Sequence, residues 1–388
     1  MSDNLFVNLA YLLNRPTGTT SYALNLLPYL QELSPIYLAT PASGLGDRAN
    51  IFQVPTHMTA ANGTSGHLRR LWWTQFQLPS LIKKLSPSFK TTLTAPSAQS
   101  HSQSPLLFTP IPETPLSFLG ARTLRSVVMF HDLIPLRFPE EFGAIKHYFR
   151  YYVPQVLAQA EKVICNSQAT ARDIVDFYGL PAHKIVPIPL GYDAAHFRPD
   201  HTAPKVLTDL NLTNTRYFLT LGRQAPYKNI GAVIQAIAQV PDCLLIIAGP
   251  KDPRYTPKLE KLAEEKEVRS RVKFLSYIPY TQLPALLSHA LALVFPSLWE
   301  GFGLPALEAM ACGTPVIASN LASIPEVTGQ AAYLISPQRL SELTCAMNAI
   351  ATDDSVRQQL SSAGRQRALN FSWQKTGRAT ADVLRSVA

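Results

Sequence analysis

The sequence contains no apolar run near the ~18 residues that a membrane-spanning helix requires. The stretch from Met1 to Asn4 also lacks the basic region that opens a signal peptide. We therefore expect a soluble, cytoplasmic protein. Charged residues are scarce as well, at 16% of 388 residues against 46% hydrophobic ones, which excludes a wholly disordered chain. This length exceeds what one core usually serves, so two domains are expected.

Cysteine is rare and dispersed. The four cysteines, Cys165, Cys243, Cys312 and Cys345, form no Cys-x-x-Cys pair, and no histidines lie at the spacing of metal ligands. Disulfide and zinc frameworks have clustered spacings. We therefore expect reduced thiols that serve as small core residues, and no structural zinc.

The chain carries 35 basic and 26 acidic residues, a formal charge of +9, and the basic excess is shared evenly between its two halves. A dedicated nucleic-acid surface would concentrate Lys and Arg with aromatic residues on one element. The even spread argues against a nucleic-acid partner, while it suits anionic ligands or an anionic membrane surface.

Short apolar runs alternate with segments of helical periodicity, which predicts an α/β fold with parallel sheets. The pattern restarts after a polar stretch near residues 190–205, which we interpret as a hinge. We predict two Rossmann-like domains, residues 1–192 and 193–371, and a mobile loop at 95–104 within the first. The strands predicted in the first half run from Leu5 to Leu13, Ile36 to Ala39, Ser126 to Phe130, Lys162 to Cys165 and Lys184 to Ile188. Those in the second half run from Tyr217 to Leu221, Leu244 to Ala248, Val272 to Leu275, Ala292 to Phe295, Pro315 to Ala318 and Ala331 to Ile335.

The most informative motif joins the strand ending at Phe295 to a helix that we expect to begin at Pro305 and to run to about Ala311. Its loop contains Glu300, Gly301, Phe302, Gly303 and Leu304. Backbone N–H groups of this loop, with the positive end of the helix dipole, suit a phosphate or a polarised sugar oxygen. The carboxylates of Glu300 and Glu308 fit sugar hydroxyls better. Either Glu alone is well explained as a solvated surface residue, but the pair in this context favours a binding site.

Three further loops follow predicted strands. Arg223 and Lys228 share one strand-to-helix loop, from which both would reach one diphosphate; two solvated cations are the alternative. Gly18 and Thr19 either aim a helix N-terminus at the carboxyl edge of the sheet or form an ordinary turn. His131, at a strand end, either faces a ligand crevice or has a structural role.

Together these motifs resemble glycosyltransferase family 4, whose members are retaining enzymes of the GT-B fold, and the resemblance covers almost the whole chain. It implies two facing Rossmann-like domains with an interdomain cleft, and a C-terminal helix, about 372–388, that packs back on the first domain. It also implies that Glu308 holds the nucleotide ribose, that Glu300 contacts the donor sugar, and that Arg223 and Lys228 bind the diphosphate. His131 corresponds to the family's histidine near the donor sugar, and Gly18 and Thr19 to its first donor loop. The nucleotide base would lie near Gly249, Pro250, Tyr277, Ile278 and Leu283.

Two positions depart from the family pattern. Many relatives carry two glycines where this chain has Gly18-Thr19, and many have Pro-Asn-Gly where it has Pro189-Leu190-Gly191. Neither change removes a charged group. The resemblance implies that Arg223, Lys228 and helix N-terminal amides stabilise the leaving diphosphate, the task that a metal performs elsewhere. No Asp-x-Asp triplet occurs, so no metal or other cofactor is required. Front-face attack is the expected mechanism of retention.

The stretch around His131 and Phe138-Pro139-Glu140 is similar to mannosyltransferase-type members, so GDP-mannose is the first expectation for the donor, with UDP-sugars left open. The acceptor, a glycan or a lipid-linked molecule, is expected on the first domain. The basic, aromatic segment from His67 to Phe76 suits peripheral contact with a membrane. The alternative is a helix that packs its Trp and Leu side chains inward.

Other functions remain open at this point. Gly301-Phe-Gly303-Leu-Pro-Ala306 fits the G-x-G-x-x-A spacing of an NAD-dependent dehydrogenase, but the next strand ends at Ser319-Asn320 without a ribose-binding acid. A GT-B fold sugar-nucleotide epimerase would change the donor sugar without transfer. A non-catalytic binding protein would hold the donor without consuming it.

Overall fold

The computed structural model of the chain describes residues 5–13, 17–45, 50–86, 105–117, 124–200, 204–276 and 278–387. The chain divides into two compact units. The first consists of Met1–Leu136, Phe142–Pro189 and Trp373–Ala388, and the second of Arg137–Glu141 and Leu190–Ser372. Each unit contains a parallel β-sheet with helices, which confirms the predicted α/β class. The predicted loop at 95–104 lies outside the described residues.

The first unit contains a seven-stranded parallel sheet in the order β3-β2-β1-β4-β5-β6-β7. The strand order reverses between β1 and β4, the position where ligands bind in open α/β sheets. Apolar side chains on both faces are buried, as parallel sheets covered by helices require. The strands are β1 (Leu5–Leu9), β2 (Ile36–Ala39), β3 (Ile51–Gln53), β4 (Leu106–Thr109), β5 (Arg125–Phe130), β6 (Lys162–Cys165) and β7 (Ile185–Pro187).

The second unit contains a six-stranded parallel sheet in the order β10-β9-β8-β11-β12-β13. Its order reverses between β8 and β11. A buried cluster that includes Phe218, Ile234 and Leu245 fills the space between the sheet and its helices. The strands are β8 (Tyr217–Leu221), β9 (Leu244–Ala248), β10 (Val272–Leu275), β11 (Ala292–Phe295), β12 (Val316–Ser319) and β13 (Tyr333–Ile335).

The helices alternate with these strands along the chain. The α-helices described are Gly18–Leu30, Gly63–Phe76, Leu78–Leu85, Ile134–Arg137, Ile145–His147, Val153–Gln159, Gln168–Tyr178, Pro204–Asp209, Ile230–Ile237, Thr256–Glu265, Leu283–Ser288, Leu304–Ala311, Ile324–Thr328, Leu340–Thr352, Asp354–Ala368 and Trp373–Ser386, with a π-helical stretch at Tyr148–Tyr152. Short 3₁₀ turns lie at Gln31–Leu33, Pro41–Ser43, Ala60–Asn62, Pro139–Glu141, Ala182–Lys184, Pro226–Lys228, Arg269–Arg271 and Tyr280–Gln282.

The first sheet differs from the prediction most in three strands, while β5 begins one residue earlier than predicted and β7 is one residue shorter at each end. β1 ends at Leu9 rather than Leu13, because a turn in which the Leu12 amide donates to the Leu9 carbonyl follows it. β3 and β4 were not predicted. β3 is a three-residue strand with two exposed side chains. β4 is buried throughout but lies in a stretch rich in Ser, Thr and Pro.

The helix Trp373–Ser386 is part of the first unit and packs on the helix Gly18–Leu30. A Cβ at Gly377 would lie 2.3 Å from the ring of Tyr29, so the two helices approach closely at this point. The Trp373 ring meets the Tyr22 ring edge-on, with centroids 6.4 Å apart. The Thr376 hydroxyl donates to the Pro189 carbonyl at 2.7 Å.

Three of the four cysteines, Cys165, Cys243 and Cys312, are buried as predicted. The prediction is wrong for Cys345, which is exposed. Across the described ranges, none of the helices has both the length and the apolar character needed to span a bilayer.

Candidate functional site

The loops that follow two neighbouring strands of the second unit carry six of the predicted donor-binding residues. Lys228 lies in the loop after β8 and Glu300 in the loop after β11. These strands pair in parallel at the point where the strand order of the second unit reverses. Carboxyl ends of parallel strands meet at the same edge of a sheet, and ligands of open α/β sheets bind beside such a reversal. The second unit therefore presents its charged loops where a ligand is expected.

Lys228 and Glu300 form an ion pair. The Lys228 Nζ donates to Glu300 Oε1 at 2.6 Å, and the two side chains are only 13% and 10% exposed. The ammonium also lies 5.1 Å from the ring centroid of Phe295, within the range of a cation–π contact. An ammonium has three donors, and Glu300 is its one hydrogen-bond partner in the described part of the chain. The remaining donors are available to an anionic ligand.

The Glu300 loop is held from the other side by Ser323. The Ser323 hydroxyl lies 2.8 Å from the Glu300 carbonyl oxygen and 2.9 Å from that of Phe302. The helix that follows begins at Leu304, so Pro305 is its second residue rather than its first as predicted. Gly303 precedes it at φ +108°, where a Cβ would lie 2.7 Å from Ile324 Cδ1. This backbone geometry explains the glycine.

Gly222 and Gly249 bring the ends of β8 and β9 together. A Cβ at Gly249 would lie 1.9 Å from the Gly222 carbonyl oxygen, and the two residues adopt φ values of +151° and +128°. L-amino acids with side chains rarely adopt such angles. Gly249, predicted near the nucleotide base, is therefore required by the backbone itself.

Arg223 lies beside an acid that the sequence analysis did not single out. Its Nη2 is 3.4 Å from Asp252 Oδ2, and 45% of its side chain is exposed. Arg254 donates from Nε and Nη2 to the same carboxylate at 3.0 and 2.7 Å. These hydrogen bonds hold the pKa of Asp252 well below its usual range. Two guanidiniums thus share the Asp252 carboxylate, and the Glu141 carboxyl lies close enough to interact with both of them.

Arg254 and Tyr227 also contact the segment Arg137–Glu141, which belongs to the second unit. Arg254 Nη1 donates to the Glu141 carbonyl at 3.0 Å, and the Phe138 ring lies 5.7 Å from the Tyr227 ring. Burial raises the pKa of the Glu141 carboxyl, while the Tyr227 backbone and the arginines oppose that effect. Asp252-x-Arg254, close behind the Gly249-Pro250 turn, was the sequence signal that could have revealed this cluster.

Glu308 lies in the helix Leu304–Ala311 and is partly buried. Burial raises the pKa of this carboxyl to about 8, so it is mostly protonated at neutral pH. Desolvation and the nearby Glu308 charge both raise the pKa of Tyr280. Within the described ranges the Glu308 side chain has no hydrogen-bond or ion-pair partner. A carboxyl placed in this way can accept ligand hydroxyls once it ionises.

The residues predicted near the nucleotide base are only partly described. Pro250 is exposed directly after Gly249, Ile278 is half-buried, and Leu283 begins the helix Leu283–Ser288. Tyr277 lies outside the described residues. Their contact with a base stays a prediction, as do the ligand contacts of Gly301, Phe302 and Leu304.

The remaining predicted residues, His131, Gly18 and Thr19, lie in the first unit. His131 Nε2 is 3.0 Å from the Pro110 carbonyl, so Nε2 carries the proton. Burial lowers the pKa of His131 to about 4, so the ring is neutral and its Nδ1 is a hydrogen-bond acceptor. Thr17 caps the helix that Gly18 opens. A Cβ at Gly18 would meet nothing within 4 Å, so the protein itself does not require a glycine here.

Among the described residues, no group of three or more His, Cys, Asp or Glu side chains is arranged to hold a metal ion. The charges of the site come from lysine, arginine and carboxyl groups alone in these ranges.

Family models match both units. Residues 16–196 match the model described as Glycosyltransferase Family 4, and residues 208–367 the model described as Glycosyl transferases group 1. O-antigen chain mannosyltransferase B of Escherichia coli is 31% identical over 268 residues, which cover 67% of this chain and 70% of that protein. O-antigen chain mannosyltransferase RfbU of Salmonella typhimurium is 27% identical over 340 residues, covering 86% and 87%. The chain spans 33% of the longer serotype-specific mannosyltransferase WbdA of Escherichia coli, with 29% identity over 66% of this chain.

The crystal structure of Anabaena HepE in complex with UDP and glucose is similar throughout. It has a TM-score of 0.72 and 21% sequence identity, and the match covers 99% of this chain and 100% of that one. Similarity at this level shows the fold, and it confirms the expected GT-B fold.

Proposed function

Because the chain belongs to glycosyltransferase family 4 and is a group 1 glycosyltransferase, we propose that it transfers a hexose, with mannose as the first candidate, from a nucleoside-diphosphate sugar to a glycan hydroxyl. Two relatives named as O-antigen chain mannosyltransferases support mannose and a polysaccharide acceptor. The HepE complex with UDP and glucose supports a nucleotide-sugar donor.

The observation that carries the proposal is the Lys228–Glu300 pair at the reversal point of the second sheet. The free donors of Lys228 and the half-exposed guanidinium of Arg223 bind the diphosphate and stabilise the charge that grows on it as it leaves. Glu300, oriented by Lys228 and Ser323, accepts from hydroxyls of the donor sugar. Glu308 accepts from the ribose hydroxyls.

The reaction is proposed to proceed with retention by front-face attack. The bond from the sugar C1 to the diphosphate oxygen breaks, a bond from C1 to the acceptor oxygen forms, and the acceptor proton passes to the leaving diphosphate. His131, neutral with a free acceptor at Nδ1, is proposed to receive a hydrogen bond from a donor-sugar hydroxyl.

Metal independence belongs to the same proposal, because two cationic side chains supply the charge that a divalent ion would otherwise provide. Transfer should continue at an unchanged rate in excess EDTA. A loss of activity that Mg²⁺ or Mn²⁺ restores would overturn this part.

The decisive experiment compares transfer by the wild type, Lys228→Met and the control Lys266→Met, which removes an exposed charge in the same unit. GDP-mannose is the first donor, UDP-glucose the second, and a mannose-containing oligosaccharide the acceptor. Lys228→Met should lower kcat/KM by ~100-fold or more, equivalent to about 2.7 kcal/mol. The control should stay within about twofold.

Other results point to other functions. A loss below about threefold in Lys228→Met would refute the role of this lysine. Conversion of the donor sugar without transfer, followed by NMR, would indicate an epimerase. A rise in unfolding temperature with NAD but with no nucleoside diphosphate would indicate a dehydrogenase.

We also propose peripheral contact with an anionic membrane through the helix Gly63–Phe76. Leu68, Trp72 and Phe76 are spaced four residues apart on one face and are 59%, 55% and 54% exposed. The neighbouring Trp73 is buried, so inward packing holds for that side chain. Of the two arginines in this helix, only Arg69 is exposed. Lys83 and Lys84, in the next helix Leu78–Leu85, are exposed as well.

The segment 63–85 contains no acidic residue, so its exposed charges are all positive. An amphipathic helix with this charge favours anionic lipid. Flotation with phosphatidylglycerol vesicles should carry the wild type upward and leave Trp72→Ser behind, while Tyr333→Ser, which changes an exposed aromatic residue of the second unit, should float. No flotation of the wild type would end the membrane proposal.

A further inference from the structure

Five residues of the chain, Arg137–Glu141, belong to the second unit although the residues on both sides of them belong to the first. This inserted segment consists of the last residue of the helix Ile134–Arg137, then Phe138, then the 3₁₀ turn Pro139–Glu141. Five residues are too few to bury a core of their own. Their place in the second unit therefore comes from the loops that they contact.

Arg137 stacks on the side chain that precedes Glu300. Its guanidinium carbon lies 3.4 Å from the centroid of the Trp299 ring, and both side chains are half-buried. Indole is the best ring for a cation–π contact, and a planar guanidinium can lie flat on it. The contact restrains Trp299 and, through the peptide bond that joins the two residues, the backbone from which Glu300 projects.

Phe138 packs on the side chain that precedes Lys228. The Phe138 and Tyr227 rings have centroids 5.7 Å apart at an interplanar angle of 30°. Tyr227 is buried, and its carbonyl accepts from the Leu298 amide at 2.7 Å. This hydrogen bond joins the loop after β8 to the loop after β11. The inserted segment therefore contacts both loops, and the two loops contact each other.

The far end of the inserted segment is restrained as well. Pro139 restricts the backbone, and the Glu141 amide donates to the Phe138 carbonyl at 3.0 Å. Arg254 Nη1 donates to the Glu141 carbonyl at 3.0 Å, and the Tyr227 backbone hydrogen-bonds the Glu141 carboxyl. The contacts with the two loops are therefore made from a segment that is itself fixed in place.

The alignment of these two loops decides the geometry of the ion pair, because the Lys228 Nζ and Glu300 Oε1 atoms are 2.6 Å apart. The two residues are 72 positions apart in sequence, so tertiary contacts have to align their loops. A displacement of about 1 Å at a binding site can lower a reaction rate by ~100-fold. Contacts on the residues that directly precede Lys228 and Glu300 are thus well placed to set this geometry.

We propose that Arg137 and Phe138 are positioning residues of the donor site. Arg137 acts through Trp299 on the carboxylate of the next residue. Phe138 acts through Tyr227 on the ammonium of the next residue. The proposal rests on the proposed function for the identity of the ligand, a nucleoside-diphosphate sugar, but ligand binding alone reports the positioning and needs no transfer.

Isothermal titration calorimetry of the full chain with GDP, GDP-mannose, UDP and UDP-glucose measures binding without an acceptor. Phe138→Ala should weaken the nucleotide and its sugar conjugate equally, by about tenfold, because both contain the diphosphate that Lys228 contacts. Arg137→Met should weaken the nucleotide sugar about fivefold more than the free nucleotide, because Glu300 contacts the sugar. Phe138→Tyr, which keeps the ring, should bind within about twofold of the wild type. Unchanged affinities in Phe138→Ala and Arg137→Met would overturn the proposal.

A matched control removes a cation–π contact elsewhere in the second unit. The Arg269 guanidinium carbon lies 5.7 Å from the ring centroid of Phe274, a residue of the edge strand β10. Arg269→Met should bind all four ligands as the wild type does. An equal loss of nucleotide-sugar binding in Arg269→Met and Arg137→Met would show a general effect of the lost charge and refute the positioning role.

The route through Trp299 is tested by combining two variants. Trp299→Leu removes the ring on which Arg137 stacks. Arg137→Met should therefore cause no further loss of nucleotide-sugar binding when it is added to Trp299→Leu. Losses that multiply in the double variant would mean that the arginine acts by another route, which would overturn this assignment.

Transfer kinetics separate the proposal from the function on which it rests. Arg137→Met should raise KM for the donor and leave KM for the acceptor unchanged. A lower unfolding temperature in Arg137→Met without any difference between nucleotide and nucleotide sugar would indicate a merely structural role and refute the proposal.

The remaining outcomes distinguish the two proposals. Weakened binding in both variants of a protein that transfers no sugar would sustain the positioning role and refute the proposed function. Wild-type affinities in both variants of a protein that does transfer would refute the positioning role alone. Binding of none of the four ligands by the wild type would overturn both.

Discussion

Glu308→Gln should remove much of the pH dependence of stability in the second unit. The pKa of Glu308 is raised from 4.5 to about 8 in the folded protein. Between pH 4.5 and 8 the carboxyl is therefore protonated in the native state but ionised in the unfolded chain. Below pH 4.5 it does not change the free energy of unfolding. As the pH rises from 4.5 to 8, it destabilises the native state by an increasing amount. A tenfold difference in proton affinity between the two states corresponds to about 1.4 kcal/mol. The destabilisation by this carboxyl is at most ~3.4 kcal/mol at pH 7 and ~5 kcal/mol above pH 8.

Urea unfolding of the ligand-free protein at pH 5, 6, 7 and 8 measures this effect. The stability of the wild type should fall across this range. Glu308→Gln, which cannot ionise, should show a flatter profile, so its stability relative to the wild type should increase with pH. Glu264→Gln, at an exposed position, serves as the matched control and should follow the wild type. Parallel profiles for the wild type and Glu308→Gln would refute the reasoning.

The same carboxyl links protonation to ligand binding. If ribose hydroxyls bind the ionised form, a nucleoside diphosphate should release up to about 0.9 proton at pH 7, the fraction protonated at a pKa of about 8. Calorimetry in two buffers of different ionisation enthalpy measures the release. Uptake of protons, or no release, would place the ribose away from Glu308.

Three further outcomes follow from packing and capping. Gly249→Ala should prevent folding of the second unit or lower its unfolding temperature severely, since its Cβ would lie 1.9 Å from the Gly222 carbonyl oxygen; a normal melting curve would show that the backbone rearranges. Glu113→Gln should cost about 3–5 kcal/mol in urea unfolding, because it leaves Arg70 buried without its counter-charge. A cost below about 1 kcal/mol would mean that water reaches that guanidinium. Asp353→Ala should lower the midpoint of urea unfolding, because its side chain accepts from the amides of residues 355 and 356 at a helix start; an unchanged midpoint would show that the cap is dispensable.

The loop around Glu300 and the helix of Glu308 were predictable from the sequence because glycine and proline mark where the strand ends and the helix begins. The same local signals placed Lys228 in a strand-to-helix loop. Its contact with Glu300 could not be foreseen, since the two residues are 72 positions apart and one sequence does not reveal which distant loops become neighbours. The buried pair of Arg70 and Glu113 escaped prediction for the same reason.

Packing also decided features that periodicity leaves ambiguous. Trp72 and Trp73 are adjacent and equally apolar, yet the first is 55% exposed and the second 3%. Which of the two is buried depends on how the helix packs against the core beside β1 and β2, a cluster that contains Trp73. β4 is a central strand whose identity comes from its two parallel neighbours rather than from its composition.

The helix Trp373–Ser386 has a consequence for synthesis on the ribosome. It completes the first unit, whose preceding segment ends at Pro189, so about 180 residues of the second unit are translated in between. At the usual rate of roughly 5–20 residues per second, that delay is on the order of 10–40 s. During this interval the surface of the helix Gly18–Leu30 around Tyr22 and Tyr29 is uncovered, and a nascent chain in this state is a natural client for chaperones until the late helix docks.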